Sequence, residues 1–305
     1  MPREVLAWGG FIAFILSMLA LDLFIFQRKA HIIRIRESLL LTGFWIGLAL
    51  LFGFGIFWVR GPHAMLEFLT GYLIEESLSM DNMFVFLLIF NYFAVPPSVQ
   101  AKVLLWGVLG AIILRAIFVI AGLALIHRFS WIIYVFGVLL VWTGFNMFAE
   151  KGKKIQPEKN PVLKLFRKWV PVTEGYEEDK FFVRRAGRYF ATPLFIVVLV
   201  VETTDLVFAV DSIPAIFAVT LDPFIVYTSN IFAILGLRSL YFALSGMMER
   251  FHFLHYGLAV ILLFVGVKML IARFYHVPIG FALGFVTSAL ILSVGVSLVR
   301  PEKAH

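Results

Sequence analysis

Seven carboxylates lie inside stretches of this sequence that are otherwise strongly apolar. Two runs hold six of them: residues 75–82, Glu-Glu-Ser-Leu-Ser-Met-Asp-Asn, and residues 202–211. An ionisable group at membrane depth is costly and is a functional-site hypothesis by default. Carboxylate, hydroxyl and amide oxygens are the ligands that hard divalent cations prefer. The two runs therefore predict a cation site.

The carboxylates outnumber the cations that share their apolar segments. The acids are Asp22, Glu75, Glu76, Asp81, Glu202, Asp205 and Asp211, and the cations are Arg115, Arg238 and Lys268. In a low dielectric this excess must be balanced by protons or by a bound cation. The chain has no cysteine, so thiolate metal sites and disulfides are excluded. We expect Mg²⁺, Ca²⁺ or Mn²⁺ rather than Cu²⁺ or Zn²⁺.

The composition indicates a polytopic membrane protein. Hydrophobic residues make up 61% of the chain, charged residues 15%, and the mean hydropathy is +0.95. Nine stretches are long enough to cross about 30 Å of hydrocarbon as a helix. They are residues 6–26, 39–59, 65–92, 102–126, 131–148, 190–219, 223–246, 252–272 and 277–299. The predicted fold class is all-α, with about nine transmembrane helices.

The basic residues predict the orientation of these helices. Arg28, Lys29, Arg34 and Arg36 crowd the first loop, and the long segment 150–188 is also rich in Lys and Arg. The positive-inside rule makes both loops cytoplasmic, with the N terminus outside and the C terminus inside. The formal charge of +7 then reflects membrane topology and contact with anionic lipid. We expect no nucleic-acid partner.

Two membrane halves are predicted on either side of a linker. Residues 1–149 hold the first five helices, residues 150–188 form the cytoplasmic linker, and residues 189–305 hold the last four. The linker is expected to be a solvated connector. Its apolar residues at 162–169 predict a short amphipathic helix on the membrane surface.

Polar landmarks recur in the same order in the two halves, which predicts a repeat of two three-helix units, residues 65–149 and 189–272. The matched pairs are Glu75 with Asp205, Asp81 with Asp211, Asn82 with Ser212, Arg115 with Arg238, and Asn146 with Lys268. Glu76 has no counterpart. The first unit starts outside and the second inside, so their topologies are inverted. Inverted repeats place a substrate site near the midplane where the units meet.

Helical geometry limits which acids can converge. Asp81 follows Glu75 by six residues, as Asp211 follows Asp205, so each pair is about 120° apart around a regular helix. One straight helix cannot point both acids at one ion. We expect Pro214 to kink or break its helix beside Asp211. A similar irregularity is expected in the 75–82 run, as in transporters whose broken helices line a cavity.

Four runs of the sequence resemble the TerC family of integral membrane proteins, and their order and length are similar to its Alx-like branch. They are the 75–82 run, Glu-Thr-Thr-Asp-Leu-Val-Phe-Ala-Val-Asp-Ser-Ile-Pro-Ala at 202–215, Ser-Asn-x-x-Ala-x-Leu-Gly-Leu-Arg-Ser-Leu-Tyr at 229–241, and Gly-Val-Lys-Met-Leu at 266–270. The resemblance implies divalent metal homeostasis, with Mn²⁺ export across the bacterial inner membrane and a link to tellurite resistance. The family's intramembrane acids fall on Glu75, Asp81, Glu202, Asp205 and Asp211, and its first-helix acid resembles Asp22.

These observations together predict a Mn²⁺ exporter that works by alternating access and has no prosthetic group. The five family acids would be metal ligands or proton-exchange groups. Supporting oxygen donors would be Ser79, Asn82, Thr204 and Ser212, while Arg115 and Arg238 would hold the ion-free carboxylates apart. Proton coupling is a hypothesis that the excess of acids suggests. The alternatives are a channel, a non-transporting scaffold that delivers metal to exported proteins, and a tellurite-resistance membrane protein. No enzyme activity is expected.

Overall fold

The computed structural model describes residues 2–26, 35–149, 160–185, 187–245 and 253–299. These residues form ten α-helices and one β-hairpin. In chain order they are α1 (Pro2–Phe26), α2 (Ile35–Arg60), α3 (Pro62–Tyr92), α4 (Pro97–Arg128), α5 (Ile132–Ala149), α6 (Pro161–Trp169), β1 (Phe182–Arg185), β2 (Arg188–Ala191), α7 (Pro193–Phe217), α8 (Pro223–Ser245), α9 (Leu254–Ile271) and α10 (Ile279–Val299).

The long helices coincide with the nine stretches predicted to be spans. Six of them, α2, α4, α7, α8, α9 and α10, are long and apolar enough to cross a membrane. Helices α1 and α5 contain shorter apolar segments, and α3 is 31 residues long but carries four carboxylates. The chain is thus a helical, multi-pass membrane protein, and nine crossings stay a prediction.

Several helices begin where the sequence fixes the backbone. Proline occupies the first turn of α3, α4 and α7, where its missing N–H is not needed. Gly61 has a φ of +88° in the tight junction between α2 and α3, a conformation that glycine adopts without strain. At the start of α8, Asp222 accepts hydrogen bonds from the backbone N–H groups of Phe224 (2.8 Å) and Ile225 (3.2 Å), which makes it the N-cap.

The helices of the two predicted units pack against one another in reciprocal pairs. Helix α3 packs on α8, α4 on α7, α3 on α7, α4 on α8, and α5 on α9. Exchanging α3 with α7, α4 with α8 and α5 with α9 leaves this set of pairs unchanged. Helix α8 is buried along most of its length, since α2 covers it from one side. Helix α10 lies on α3 and α9, so α2 and α10 surround the core.

The first helices of the two predicted units, α3 and α7, run in opposite directions. Arg60, just before α3, donates a 2.7 Å hydrogen bond to Asp222, just after α7. At the other end, the Tyr176 hydroxyl, before α7, donates to the carbonyl of Phe93, after α3 (2.8 Å). Helices α3 and α7 are therefore antiparallel, as an inverted repeat requires. The orientation of either unit in a bilayer stays a prediction.

The expected helix breaks are wrong. Helix α3 continues without interruption through residues 75–82, and α7 continues through Pro214 to Phe217. Pro214 lies in the last turn of α7, where the hydrogen bond it removes, to the carbonyl of Val210, is one of the last that the helix makes. The proline therefore does not end the helix beside Asp211.

The described part of the linker, residues 160–185 and 187–188, is folded. Its predicted amphipathic helix is confirmed as α6, and β1 and β2 form an antiparallel hairpin that leads into α7. Lys102 of α4 donates a 2.8 Å hydrogen bond to the carboxylate of Asp179. That bond and the charge of Lys102 hold the pKa of the Asp179 carboxyl below its usual value. Residues 150–159 of the predicted linker lie outside the described residues.

Helices α5 and α9 approach closely at glycines. Substituting these glycines therefore tests how tightly the two helices pack. A Cβ on Gly266 would lie 2.8 Å from the Gly137 carbonyl oxygen and 2.9 Å from the Val141 nitrogen, while one on Gly284 would meet no atom within 4 Å. We expect Gly266→Ala to destabilise the protein by about 1–3 kcal/mol because backbone must move. Gly284→Ala should leave the thermal unfolding midpoint in detergent unchanged. Equal midpoints for the two variants would contradict the close approach.

Candidate functional site

A buried arginine joins four helices at the centre of the bundle. Arg115 of α4 forms an ion pair with Glu75 of α3, and both side chains are 0% exposed. Its guanidinium also donates to the Asn230 amide oxygen of α8 (2.9 Å) and the Ser212 hydroxyl of α7 (3.1 Å). A longer contact, 3.5 Å, reaches Asp205 of α7. One guanidinium thus holds side chains from both predicted repeat units.

The cluster carries more negative than positive groups. Arg115 faces two carboxylates, and Ser79 donates a further, 3.5 Å hydrogen bond to Glu75 Oε1. Glu75 Oε2, Asp205 Oδ2 and Arg115 Nε are buried and have no hydrogen-bond partner among the described residues. Buried polar atoms are nearly always paired, so these oxygens are the acceptors best placed to take a proton or a cation.

Glu202 extends the cluster by one turn of α7. It lies three residues before Asp205, so the two acids share a helix face. Its carboxylate lies against Gly110 of α4, where any side chain would overlap it, and its Oε2 atom has no partner in the described structure. Arg238 and Asp205 line one small cavity beside this point. Arg238 is therefore close to Asp205, and its expected role of holding the carboxylates apart stays a prediction.

Asp81 and Asp211 face a different part of the bundle. Asp81 lies 3.3 Å from Nδ1 of His255 on α9, while Nε2 of the same ring lies 2.7 Å from the Met147 carbonyl of α5. Asp211 accepts a 3.1 Å hydrogen bond from Thr143 of α5. Both acids point to the α5 and α9 pair because six residues on a continuous helix turn them about 120° from Glu75 and Asp205.

The five predicted ligands are therefore not gathered at one point. Among the described residues, no group of three or more His, Asp or Glu side chains is arranged to hold a metal ion. Glu75 and Asp205 contact Arg115, Glu202 lies one turn from Asp205 against Gly110, and Asp81 and Asp211 lie apart. Their joint role as metal ligands stays a prediction that requires another arrangement of the helices.

The supporting residues divide in the same way. Ser79 and Ser212 belong to the cluster, whereas the Thr204 hydroxyl donates to the Val200 carbonyl of its own helix (2.7 Å). Asn82 is buried on α3. Lys268 lines a separate cavity of about 630 Å³ with Glu67 and His63, away from the Arg115 cluster. The side chain of Asp22 lies outside the described residues.

Sequence reasoning missed three polar groups, two of them in contact with the cluster or with Asp81 and one in the separate cavity. Asn230 is fully buried on α8 and bonded to Arg115, and a buried amide in an apolar helix was a signal that could have found it. His255 of α9 bridges Asp81 to the Met147 carbonyl of α5. Glu67 is a further carboxylate on α3, placed within the third predicted span.

Removal of Arg115 alone should destabilise the protein more than removal of Arg115 together with the charge of Glu75. Arg115→Met leaves Glu75 and Asp205 buried without a positive partner, a loss of about 3–5 kcal/mol. Adding Glu75→Gln to that variant should recover part of the loss, since one of the stranded charges is then gone. Thermal unfolding of the two single variants and the double variant in detergent measures the coupling. Strictly additive losses would mean that the two side chains do not interact.

Comparison with known proteins gives a consistent relationship. The family model described as "Integral membrane protein TerC family" matches residues 60–305. A Myxococcus xanthus protein named "Uncharacterized membrane protein STKORF319" is 49% identical over 97% of this chain and 93% of its own length. A Salmonella typhi protein named "Putative membrane-bound redox modulator Alx" is 48% identical over 98% of this chain and 97% of its own. No solved structure gives a significant match. This chain belongs to the TerC family of integral membrane proteins.

Proposed function

We propose that this protein is a divalent metal ion transporter of the bacterial inner membrane, with Mn²⁺ as its exported cargo. The observation that carries the proposal is the buried cluster in which Glu75 and Asp205, from two antiparallel helices, share one guanidinium. Transporters built from inverted repeats hold their cargo at such an interface. A purely structural ion pair needs one carboxylate for its cation, whereas this cluster has two.

The charges of the cluster suit one divalent ion. Glu75, Asp205 and Glu202 carry three negative charges when ionised, and Arg115 carries one positive charge. The difference is two negative charges, which one Mn²⁺ ion would balance. Arg238 lines the adjoining cavity with Asp205, and counting it as well leaves one negative charge. The available donors are carboxylates, the Ser79 and Ser212 hydroxyls and the Asn230 amide, which are hard oxygen ligands. The donor set favours Mn²⁺, Mg²⁺ or Ca²⁺, and Mn²⁺ among them rests on the family resemblance.

Arg115 acts as the counter-ion of the cargo-free state. Its guanidinium occupies the carboxylate oxygens that a metal ion would ligate, so the ion must displace it from Glu75 and Asp205. When the ion leaves, the guanidinium returns and stabilises the empty carboxylates, with protons taking up the remaining charge. This competition links ion binding to a movement of α4 relative to α3 and α7.

Asp81 and Asp211 are placed to meet the ion in another state of the cycle. They are equivalent positions of the two repeat units, and both face the α5 and α9 pair. Sliding of α3 and α7 along α5 and α9 would bring these acids into the path of the ion in turn. The shared substrate site of an alternating-access carrier is exposed by such a movement of one unit against the other.

Other activities fit the described residues less well. The name of the Salmonella relative suggests a redox role, but this chain has no cysteine and so no thiol of its own to oxidise. A scaffold that delivers metal to exported proteins needs a surface for partners; the described linker contacts α4 and α7 but leaves one edge of α6 open, and that surface gives no role to the buried carboxylates. Neither alternative explains two carboxylates on one buried guanidinium.

Transport measurements on charge-neutral variants test the site. Mn²⁺ flux into or out of proteoliposomes should fall about tenfold or more in Glu75→Gln and in Asp205→Asn, because each removes a ligand worth at least about 1.4 kcal/mol. Glu178→Gln, which alters an exposed linker carboxylate, should transport within about twofold of wild type. The variants must first unfold at a midpoint close to wild type. Full flux through both cluster variants would defeat the proposal.

Proton coupling predicts a response to an imposed pH gradient. If protons replace the departing ion on Glu75, Asp205 or Glu202, a lower pH on the side that the ion enters should accelerate release there. Mn²⁺ counterflow, which needs no net charge movement, should be much less sensitive to the gradient. Net flux that ignores the gradient would show that protons do not replace the ion.

A further inference from the structure

Helix α6 carries one apolar stripe along its nine residues. Val162, Leu163, Leu165, Phe166 and Trp169 fall within an arc of about 160° at 100° per residue, and Lys164, Arg167 and Lys168 occupy the opposite arc. The helix is held in place at its start by Asn160, whose side-chain oxygen accepts from the backbone N–H groups at 162 (2.9 Å) and 163 (3.2 Å).

Only half of this stripe is covered by protein. Leu163 is buried, and the ring of Phe166 packs on Phe195 of α7 at 5.2 Å. The other half is open, since Val162, Leu165 and Trp169 are 41%, 59% and 81% exposed. An edge of two aliphatic side chains and an indole that is exposed to water costs free energy, so a partner that covers it would stabilise the protein.

The position of α6 along α7 indicates what could cover this open edge. At its start, the Asn160 amide donates a 2.7 Å hydrogen bond to the Thr203 hydroxyl, and further on Phe166 meets Phe195. Later residues of α6 thus meet earlier residues of α7, so the two helices are antiparallel. Helix α7 is one of the helices long and apolar enough to cross a membrane. The open edge of α6 therefore lies beside the first three turns of a helix that can span a membrane.

The positive charges of α6 favour contact with anionic lipid. Lys164, Arg167 and Lys168 form no ion pair with any residue in the described ranges. Each Lys or Arg near a membrane surface contributes about 1 kcal/mol of attraction to anionic lipid. Tryptophan is enriched at the membrane–water interface, and Trp169 is the last residue of α6. An apolar edge next to three unpaired cations is the pattern of an interfacial helix.

We propose that α6 is an interfacial helix that binds anionic phospholipid. Val162, Leu165 and Trp169 enter the acyl-chain region, while Lys164, Arg167 and Lys168 bind phosphate headgroups. The Asn160 bond to Thr203, next to Glu202 in the sequence, ties the lipid-bound helix to α7 beside the central cluster. The proposal does not depend on what the protein transports.

Site-directed labelling tests the depth of α6, because the chain has no cysteine and a single introduced one reports alone. A fluorophore on Leu165→Cys in the full-length protein in phosphatidylglycerol-containing bilayers should be quenched by nitroxides on the lipid chains. The same fluorophore on Arg184→Cys of the hairpin should be quenched by aqueous iodide instead. Quenching of the label at 165 by iodide alone, or its shielding only when a second protein is added, would overturn the proposal.

A matched charge series tests the lipid headgroup. The variant Lys164→Gln, Arg167→Gln, Lys168→Gln should bind phosphatidylglycerol about tenfold or more weakly than wild type, as the loss of three surface cations implies. The control Lys180→Gln, Arg184→Gln, Arg188→Gln removes the same charge from the same linker and should keep wild-type binding. Native mass spectrometry of lipid bound to the intact protein measures both. Equal losses in the two variants would reduce the effect to net charge and contradict a site on α6.

Discussion

A guanidinium buried between carboxylates is the interaction on which the rest of the membrane core depends. Arg115 cannot be left without a partner, because an unpaired charge in this environment costs several kcal/mol. Its hydrogen bonds to Glu75, Asn230 and Ser212 therefore fix the rotation of α3, α8 and α7 around their own axes. Gly110 lets α4 come close enough for this arrangement, since a side chain there would collide with Glu202.

The same constraint places the remaining acids. Once Glu75 and Asp205 point at Arg115, two continuous helices must turn Asp81 and Asp211 about 120° away. They then face the α5 and α9 pair, where Thr143 and His255 supply partners. A metal ion that crossed this bundle would accordingly meet two kinds of carboxylate site. One is the central cluster with its cation, and the others are single carboxylates against the outer helix pair.

Much of this arrangement could be predicted from the sequence, and the part that could not has a physical cause. Hydropathy located the long helices. The first helices of the two predicted repeat units, α3 and α7, are antiparallel as expected, while the repeat itself stays a prediction. The angular separation of acids six residues apart was also correct, but the helix breaks expected from it were wrong. The identity of contacting helices is a tertiary property, so the links of Asn230 to Arg115 and of His255 to Asp81 could not be read from spacing. The linker fold escaped prediction because aromatic contacts such as Phe166 with Phe195 hold it.

The ends of the core differ from its centre in a way that favours alternating access. At one end Arg60 pairs with Asp222 (2.7 Å) and lies over the ring of Phe224. At the opposite end Lys102 pairs with Asp179 (2.8 Å) and lies over the ring of Phe181. Both cations are partly exposed, and an exposed ion pair contributes only about 0–1 kcal/mol. These two ion pairs therefore hold the ends of the core less strongly than Arg115 holds its centre. The alternating access proposed above would require each end to open in turn, and neither pair would oppose that opening by more than about 1 kcal/mol.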